Sequence, residues 1–242
     1  MSDVFHEAVP DEFIDRIFAV MALANQHQFQ CLTKRPKRML NHLKNLAKSI
    51  GPLEFVARQM GFTCRYGDIS LLSWPIPNIW LGISCEDQET ADERIPLLLQ
   101  TPAAIRFVSY EPALAAVDFT RWLPRRCRCV EQFKSLDCPA CHGTGIIRYP
   151  GAVYLDQIII GGESGPNARP FDVAWARDII VQCQAVEVAC FVKQLGAHAI
   201  TRVTGLGDLV ALKYFHDRKG GDWEEWPDDL RVREFPKEES RR

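Results

Sequence analysis

Five short apolar runs constrain the fold of this chain more than any other feature. They occupy residues 29–33, 79–84, 105–109, 158–161 and 188–193, and polar residues or glycines bound each one. The runs are continuous and do not alternate with polar residues, which is typical of parallel strands buried on both faces of a sheet. The sequence therefore predicts an α/β fold built on a parallel sheet.

Helical patterns lie between these runs. Apolar residues recur at helical spacing near residues 13–21, 39–46, 91–99 and 173–180. Pro36 suits the first turn of the second helix, Pro96 interrupts the third pattern, and Asp172 is placed to cap the fourth. Strands and helices alternate along the chain, which predicts repeated βα units.

The spacing of the strand ends predicts two insertions. Two of the four gaps are about twice as long as a strand-helix unit, and residues 51–77 and 121–150 account for the excess. We expect a single incomplete (β/α) barrel domain over residues 1–242. A partial barrel is favoured over a doubly wound sheet because every strand ends in a polar cluster, whereas an open sheet needs such ends mainly at its switch point.

These polar clusters predict a ligand site. Strand C-termini and the loops after them build the active sites of βα folds, so the clusters would converge on one anionic or zwitterionic ligand. The alternative is that strands simply end in surface polar residues whose carboxylates pair with lysines. Ser2, Asp3, His6 and Thr33 belong to the first clusters, and the predicted rim comprises Lys34, Arg35, Ser84, Glu86, Asp87, Ser109, Glu111, Gly161, Gly162, Glu163, Ser164, Lys193 and Gln194.

Four of the nine cysteines form a second candidate site, within the insertion 121–150. Cys127, Cys129, Cys138 and Cys141 make two close pairs separated by a short loop, a spacing suited to tetrahedral zinc. The segment 138–145 resembles the C-x-x-C-x-G-x-G repeat of the zinc modules in DnaJ-type chaperones. Four protein ligands predict a closed, structural zinc site that stabilises a small insertion. A set of free thiols and an iron-sulfur site remain the alternatives.

Charge and composition limit the partners. The net charge of −2 excludes a histone-like binder, so nucleic-acid binding must depend on a local patch. Basic residues around the cysteines could contact phosphates or form an ordinary solvated surface. The sequence lacks an uninterrupted apolar stretch long enough to cross a membrane, and its scattered thiols predict a cytoplasmic protein with a docked or flexible tail at 220–242. The basic residues are Arg121, Arg125, Arg126, Arg128, Lys134 and Arg148.

Several segments together resemble a known family. In chain order they look like the phage gp thirty-seven/gp sixty-eight family, proteins of unassigned function regarded as radical-SAM-like. The resemblance implies a radical-SAM-type (β/α) barrel, and in full-length relatives S-adenosylmethionine and a four-iron cluster. The segments that carry it are residues 1–7, 31–36, 80–84, 86–88, 106–112, 160–165, 191–194 and 217–221.

One departure from that family affects the expected activity. Relatives carry an N-terminal C-x6-C-x2-C-type motif that supplies the cluster ligands, and this sequence has no such triplet. The paired cysteines at 127–141 differ from a three-ligand loop. We therefore expect no radical catalysis from the chain as written, unless a separate N-terminal segment supplies the cluster. The alternatives are a zinc-stabilised nucleic-acid-binding module and a non-functional gene fragment. The substrate, the reaction and the oligomeric state are not predicted.

Overall fold

The structure is a computed structural model that describes residues 3–48, 51–59, 61, 74–132, 138–202, 209–211 and 215–237. Ser2 of the first polar cluster and Lys134 of the basic set lie outside these residues. The helices are α1 (Asp11–Leu23), α2 (Pro36–Leu46), α3 (Gly51–Gln59), α4 (Gln88–Leu99), α5 (Cys129–Gln132) and α6 (Val173–Gln184). Short 3-10 helices occupy Thr120–Trp122, Trp223–Glu225 and Asp228–Leu230.

The five apolar runs are strands, as predicted. The strands are β1 (Phe29–Thr33), β2 (Ile79–Cys85), β3 (Ile105–Tyr110), β4 (Arg125–Arg126), β5 (Ile146–Ile147), β6 (Gln157–Gly161), β7 (Phe171–Asp172), β8 (Ala189–Gln194), β9 (Ala199–Arg202) and β10 (Leu209–Ala211). The runs correspond to β1, β2, β3, β6 and β8. The short strands β4, β5, β7, β9 and β10 carry too few residues to show a pattern in the sequence.

The main sheet has the order β1-β2-β3-β6-β8, and the pairs β1/β2 and β6/β8 are parallel. The fold is therefore mixed α/β with a mostly parallel central sheet. The order follows the chain and lacks the reversal that marks a doubly wound sheet. Among the described strands, none joins β1 to β8, and the predicted partial barrel is not confirmed. The structure also contains two small sheets, with the strand orders β10-β9-β7 and β4-β5.

The chain divides into two compact units, which we describe separately. Unit 1 comprises residues 1–84, 92–108 and 237–242. Its core contains the apolar faces of α1 and α2, including Ile14, Phe18, Met39 and Leu43, all fully buried. Every residue of β2 is buried. This complete burial explains why β2 is continuously apolar, since neither face of the strand meets water.

Unit 2 comprises residues 85–91 and 109–236. Helix α6 packs against β8, and Asp172 caps that helix by accepting a hydrogen bond from the Ala174 N–H at 3.0 Å, which confirms the predicted cap. Asp87 likewise accepts from the Thr90 N–H at 2.9 Å, at the start of α4. The Thr90 hydroxyl accepts from the Glu86 N–H at 3.0 Å, so the two side chains cap this end reciprocally.

The C-terminal segment of unit 2 lies along β8. The Val192 N–H donates to the Val232 carbonyl at 2.8 Å, and the Glu234 N–H donates to the Cys190 carbonyl at 2.9 Å. These bonds pair the segment with the strand in antiparallel fashion, around the bridge between Phe191 and Arg233. The segment thereby covers a strand edge that would otherwise present unpaired backbone groups. Within the described chain, every helix is too short or too polar to cross a bilayer.

Candidate metal centre and ligand site

The four cysteines of the insertion converge on one point. The sulfur atoms of Cys127, Cys129, Cys138 and Cys141 all lie within 4.8 Å of one another. The Sγ–Sγ distance is 3.7 Å from Cys127 to Cys138 and 3.3 Å from Cys129 to Cys141. Sulfurs bound about 2.3 Å from a tetrahedral zinc ion lie about 3.8 Å apart, so this donor set fits one metal ion. The sequence identified all four residues.

Local backbone geometry builds this cluster. The β4/β5 hairpin brings the two cysteine pairs together, and the Cys127 N–H donates to the Gly145 carbonyl at 2.8 Å. Gly143 and Gly145 have φ angles of +80° and +77°, a left-handed conformation that glycine adopts without a steric penalty. The glycines of the C-x-x-C-x-G-x-G pattern are thus required by the turn that follows Cys141.

Backbone groups also favour the ionised form of one ligand. The N–H groups of Ala140 and Cys141 donate to the Cys138 sulfur, and they lower the pKa of that thiol to about 7. The hydrogen bond with the neighbouring Cys127 thiol raises the pKa of Cys129. One thiolate is therefore favoured by the fold alone. A metal ion held by the four cysteines would supply the positive charge that stabilises thiolate ligands.

The strand ends of unit 2 form a second polar group. Lys193, on β8, donates to both carboxylate oxygens of Glu111, at 2.9 and 3.1 Å. The Glu111 carboxylate lies over Gly161, where an added methyl group would be 3.1 Å from its atoms. The side-chain amide of Gln194 donates to the Gly162 carbonyl at 2.9 Å. The backbone carbonyl of Gln194 accepts from the Gly162 N–H at 3.0 Å. Two hydrogen-bonded pairs, Glu111 with Lys193 and Gln194 with Gly162, therefore connect the ends of β3, β6 and β8.

The loop after β6 places a second ion pair in this unit. Arg169 donates to Glu163 through its backbone N–H and its guanidinium, with distances of 2.8 to 3.0 Å. These hydrogen bonds lower the pKa of Glu163 to about 2. Glu86 also acts electrostatically on Arg169. Glu163 and Glu86 are thus connected through an arginine that the sequence pattern did not single out, although it follows Glu163 by six residues in a Gly-Pro loop.

The other predicted rim residues of units 1 and 2 have structural partners or are exposed. Ser84 and Ser109 are buried, and the Ser84 carbonyl accepts from Arg94 at 2.8 Å within unit 1. Asp87 caps α4, as described above. Ser164 is exposed in the loop after β6. These residues therefore contribute less to the polar groups than Glu111, Glu163, Lys193 and Gln194 do.

Lys34 and Arg35 belong to unit 1, where they line a cavity of about 810 Å³ beside α1 and α2. Arg35 donates to Asp3 at 2.9 Å and to Glu7 at 2.8 Å. Burial raises the pKa of Asp3, but hydrogen bonds from Thr33 and from the Lys34 N–H outweigh this effect and lower it overall. The N-terminal segment is therefore fixed to the end of β1 by a charged network.

Sequence reasoning missed the other polar residues of this cavity. His42 lies between two carboxylates, with Nε2 2.9 Å from Asp15 and Nδ1 3.7 Å from Asp11. Arg38 donates to Asp11 at 2.7 Å. All four residues lie on helical faces, outside the strand ends on which the prediction concentrated. Their regular spacing on the polar sides of α1 and α2 was the available signal.

Comparison with known proteins identifies a family and nothing finer. Residues 1–227 match the family described as "Protein of unknown function (DUF5131)". No curated protein matches the chain, and no solved structure matches it. The resemblance to phage and radical-SAM-like proteins therefore stays a prediction.

Proposed function

The chain belongs to the DUF5131 family, whose function is unknown, and from its own geometry we propose a zinc-stabilised protein that binds a small zwitterionic ligand. The binding site is the group at the strand ends of unit 2. One observation carries this proposal: the Glu111 carboxylate, directly after β3, pairs with Lys193 of β8 and lies over Gly161 at the end of β6. We also propose, as the sequence predicts, that the fold is a partial barrel and that the protein is phage-related and cytoplasmic.

The charges favour a ligand that carries both signs. Glu111 and Lys193 offer a carboxylate and an ammonium group about 3 Å apart, with the Lys193 side chain 54% exposed and the Glu111 side chain 17% exposed. An amino acid moiety presents an ammonium and a carboxylate at a comparable separation, so it can replace this pair with two intermolecular ion pairs. Because Gly161 has no side chain, the Glu111 carboxylate can lie directly over the end of β6. The resemblance to radical-SAM-like proteins makes S-adenosylmethionine the first ligand to test.

The residues of this site do not support radical chemistry. A four-iron cluster that activates S-adenosylmethionine needs three cysteine ligands and one open iron site. Within the described residues, the cysteine group that could hold a metal is the closed set of four in the insertion. That set does not fit such a cluster, so the proposal is limited to ligand binding and includes no catalytic step.

Isothermal titration calorimetry with S-adenosylmethionine tests the proposal. We expect saturable binding to the native chain and at least about a tenfold loss of affinity in Glu111→Gln and Lys193→Met, because each variant removes one ion pair. Arg177→Ala is the matched control, since it breaks the exposed Arg177–Asp229 pair of α6 instead. Absence of binding, or equal binding by all variants, would refute the strand-end site.

The metal is proposed to be zinc, because four cysteines at this spacing form its usual structural site. Metal analysis of the purified chain is expected to give about one zinc ion per molecule, and Cys138→Ser is expected to lose it. Cys31→Ser is the control, since Cys31 is a buried thiol outside the cluster. Iron at this site in place of zinc would contradict the assignment.

A further inference from the structure

A groove along β4 is distinct from the cysteine cluster and from the ligand site at the strand ends. It has a volume of about 540 Å³ and is formed entirely by residues of unit 2. Its walls come from the segment leading into β4 and from the loop after β5, and its floor comes from the C-terminal end of α6. The chemically distinctive lining residues are Arg121, Arg125, Arg126, Tyr149 and Tyr154.

The charged side chains that line this groove are all positive. Three arginines line it, and no aspartate or glutamate is among its described lining residues. Arg125 and Arg126 form β4 and are both exposed. Arg121 lies close enough to Asp118 to help lower the pKa of that carboxyl group, so Arg125 and Arg126 are the better probes of an external anion. A concentration of arginine without carboxylates favours a phosphate ligand, because guanidinium groups bind phosphate oxygens bidentately.

Aromatic side chains accompany the arginines. Tyr149 is 49% exposed, and its backbone N–H donates to the Tyr154 hydroxyl at 3.1 Å, which ties the two residues together. An exposed tyrosine ring in a groove lined by arginines suits single-stranded nucleic acid, whose bases stack on aromatic rings and whose phosphates pair with arginines. An acidic peptide would use the arginines but would gain no base stacking from the ring.

The cysteine cluster fixes the position of one wall. Arg126 directly precedes Cys127, and β4 pairs with β5 in the register Arg125 to Ile147 and Arg126 to Ile146. A metal ion bound by the four cysteines would hold this hairpin in place without a large apolar core. The arginines would then be presented on a rigid backbone, which lowers the entropy lost on binding.

We propose that this groove binds single-stranded nucleic acid, with Arg125 and Arg126 on the phosphates and Tyr149 stacked on a base. The proposal does not depend on the ligand site at the strand ends. It assigns the basic residues of the insertion a partner, in place of the solvated surface that the sequence left open as an alternative.

Fluorescence anisotropy with labelled single-stranded RNA and DNA oligonucleotides tests the proposal. We expect binding that weakens as salt rises, and we expect Arg125→Ala/Arg126→Ala to reduce the slope of log affinity against log salt by about 1.4, because each single-strand phosphate contact contributes about 0.7. Tyr149→Ala is expected to weaken binding by about fivefold or more through lost stacking. Arg177→Ala is the control: it removes a half-buried arginine of α6 that does not line the groove, and this variant should bind as the native chain does.

Two further arms separate the possible outcomes. Arg125→Lys/Arg126→Lys keeps both charges and is expected to retain most of the salt slope, which shows that a loss in the alanine variant reflects charge and not misfolding. Labelled polyglutamate is expected to bind more weakly than the oligonucleotides and to be insensitive to Tyr149→Ala. Polyglutamate binding as tight as that of the oligonucleotides, or native binding by the double alanine variant, would overturn the proposal.

Discussion

Gly162 lies against backbone at the end of β6, where no side chain fits. A methyl group at this position would lie 2.3 Å from the Leu195 carbonyl oxygen and 2.7 Å from its carbon. Since backbone atoms cannot rotate away as a flexible side chain can, the chain must shift. The Gly162 N–H is already bound to the Gln194 backbone carbonyl, so this glycine has a packing role at the end of β6.

Gly162→Ala is expected to destabilise the protein by about 1–3 kcal/mol, the usual cost of forcing extra volume into a packed site. Equilibrium urea unfolding measures this difference. Ser164→Ala, an exposed position two residues later, is the control and should leave the unfolding midpoint nearly unchanged. An unaltered midpoint for the glycine variant would show that the strand ends are less tightly packed than described.

The Glu163–Arg169 pair predicts a pH dependence. The pKa of Glu163 falls from an ordinary value of 4.5 to about 2 in the folded state. A carboxyl group whose pKa is lowered on folding stabilises the fold above its ordinary pKa, and this contribution is lost as pH falls from about 4.5 towards about 2. The pair is exposed to solvent, so salt should reduce the effect.

Carbon-detected NMR titration of the Glu163 carboxyl group measures that shift. We expect a midpoint near 2 in the native chain and a return towards 4.5 in Arg169→Ala. Arg177→Ala should leave the midpoint where it is, because its partner is Asp229. If the Glu163 midpoint is the same in Arg169→Ala as in the native chain, another group stabilises the carboxylate.

At the scale of elements, the C-terminal segment stabilises the edge of β8 through one arginine. The guanidinium of Arg233 lies 5.2 to 5.6 Å from the ring centres of Phe191, Trp223 and Trp226. Cation–π contacts at such distances are each worth about 0.5–1 kcal/mol at exposed sites. The sequence predicts a docked or flexible tail at 220–242, and it does not indicate that an arginine lies among the aromatic rings.

Arg233→Ala is expected to lower the free energy of unfolding by about 1–2 kcal/mol and to expose the tryptophans to water. Urea unfolding followed by tryptophan fluorescence checks both effects. Lys219→Ala removes an exposed charge from the same unit and serves as the control. If both variants have the same free energy of unfolding, the aromatic contacts of Arg233 add no stability beyond that of the backbone hydrogen bonds between the tail and β8.

At the scale of the whole molecule, two kinds of stabilisation coexist. The strand β2 has all seven residues buried, as expected for a core held by apolar burial. The hairpin β4/β5 is exposed or half-buried, and its four cysteines replace such a core. Loss of the metal should therefore affect the insertion first and leave the strands of the main sheet intact.

Hydrogen exchange with and without a strong chelator tests this division. We expect faster exchange in residues 125–147 after chelation, while β2 and β6 keep their protection. The Cys138→Ser chain should resemble the chelated native chain. Loss of protection throughout the sheet at the same chelator concentration would show that the metal supports the entire fold.

The sequence by itself determined the five main strands, the cap at Asp172 and the four converging cysteines. These features depend on local patterns: burial on both faces makes a strand continuously apolar, and metal ligands must recur at short spacing. Only the tertiary structure decided that Lys193 meets Glu111, that Arg169 holds Glu163 and that Arg125 and Arg126 share a groove with Tyr149. Such partners are far apart in the chain or join exposed groups in loops, and charged surface residues carry no periodicity that reveals which neighbour the fold will bring to them.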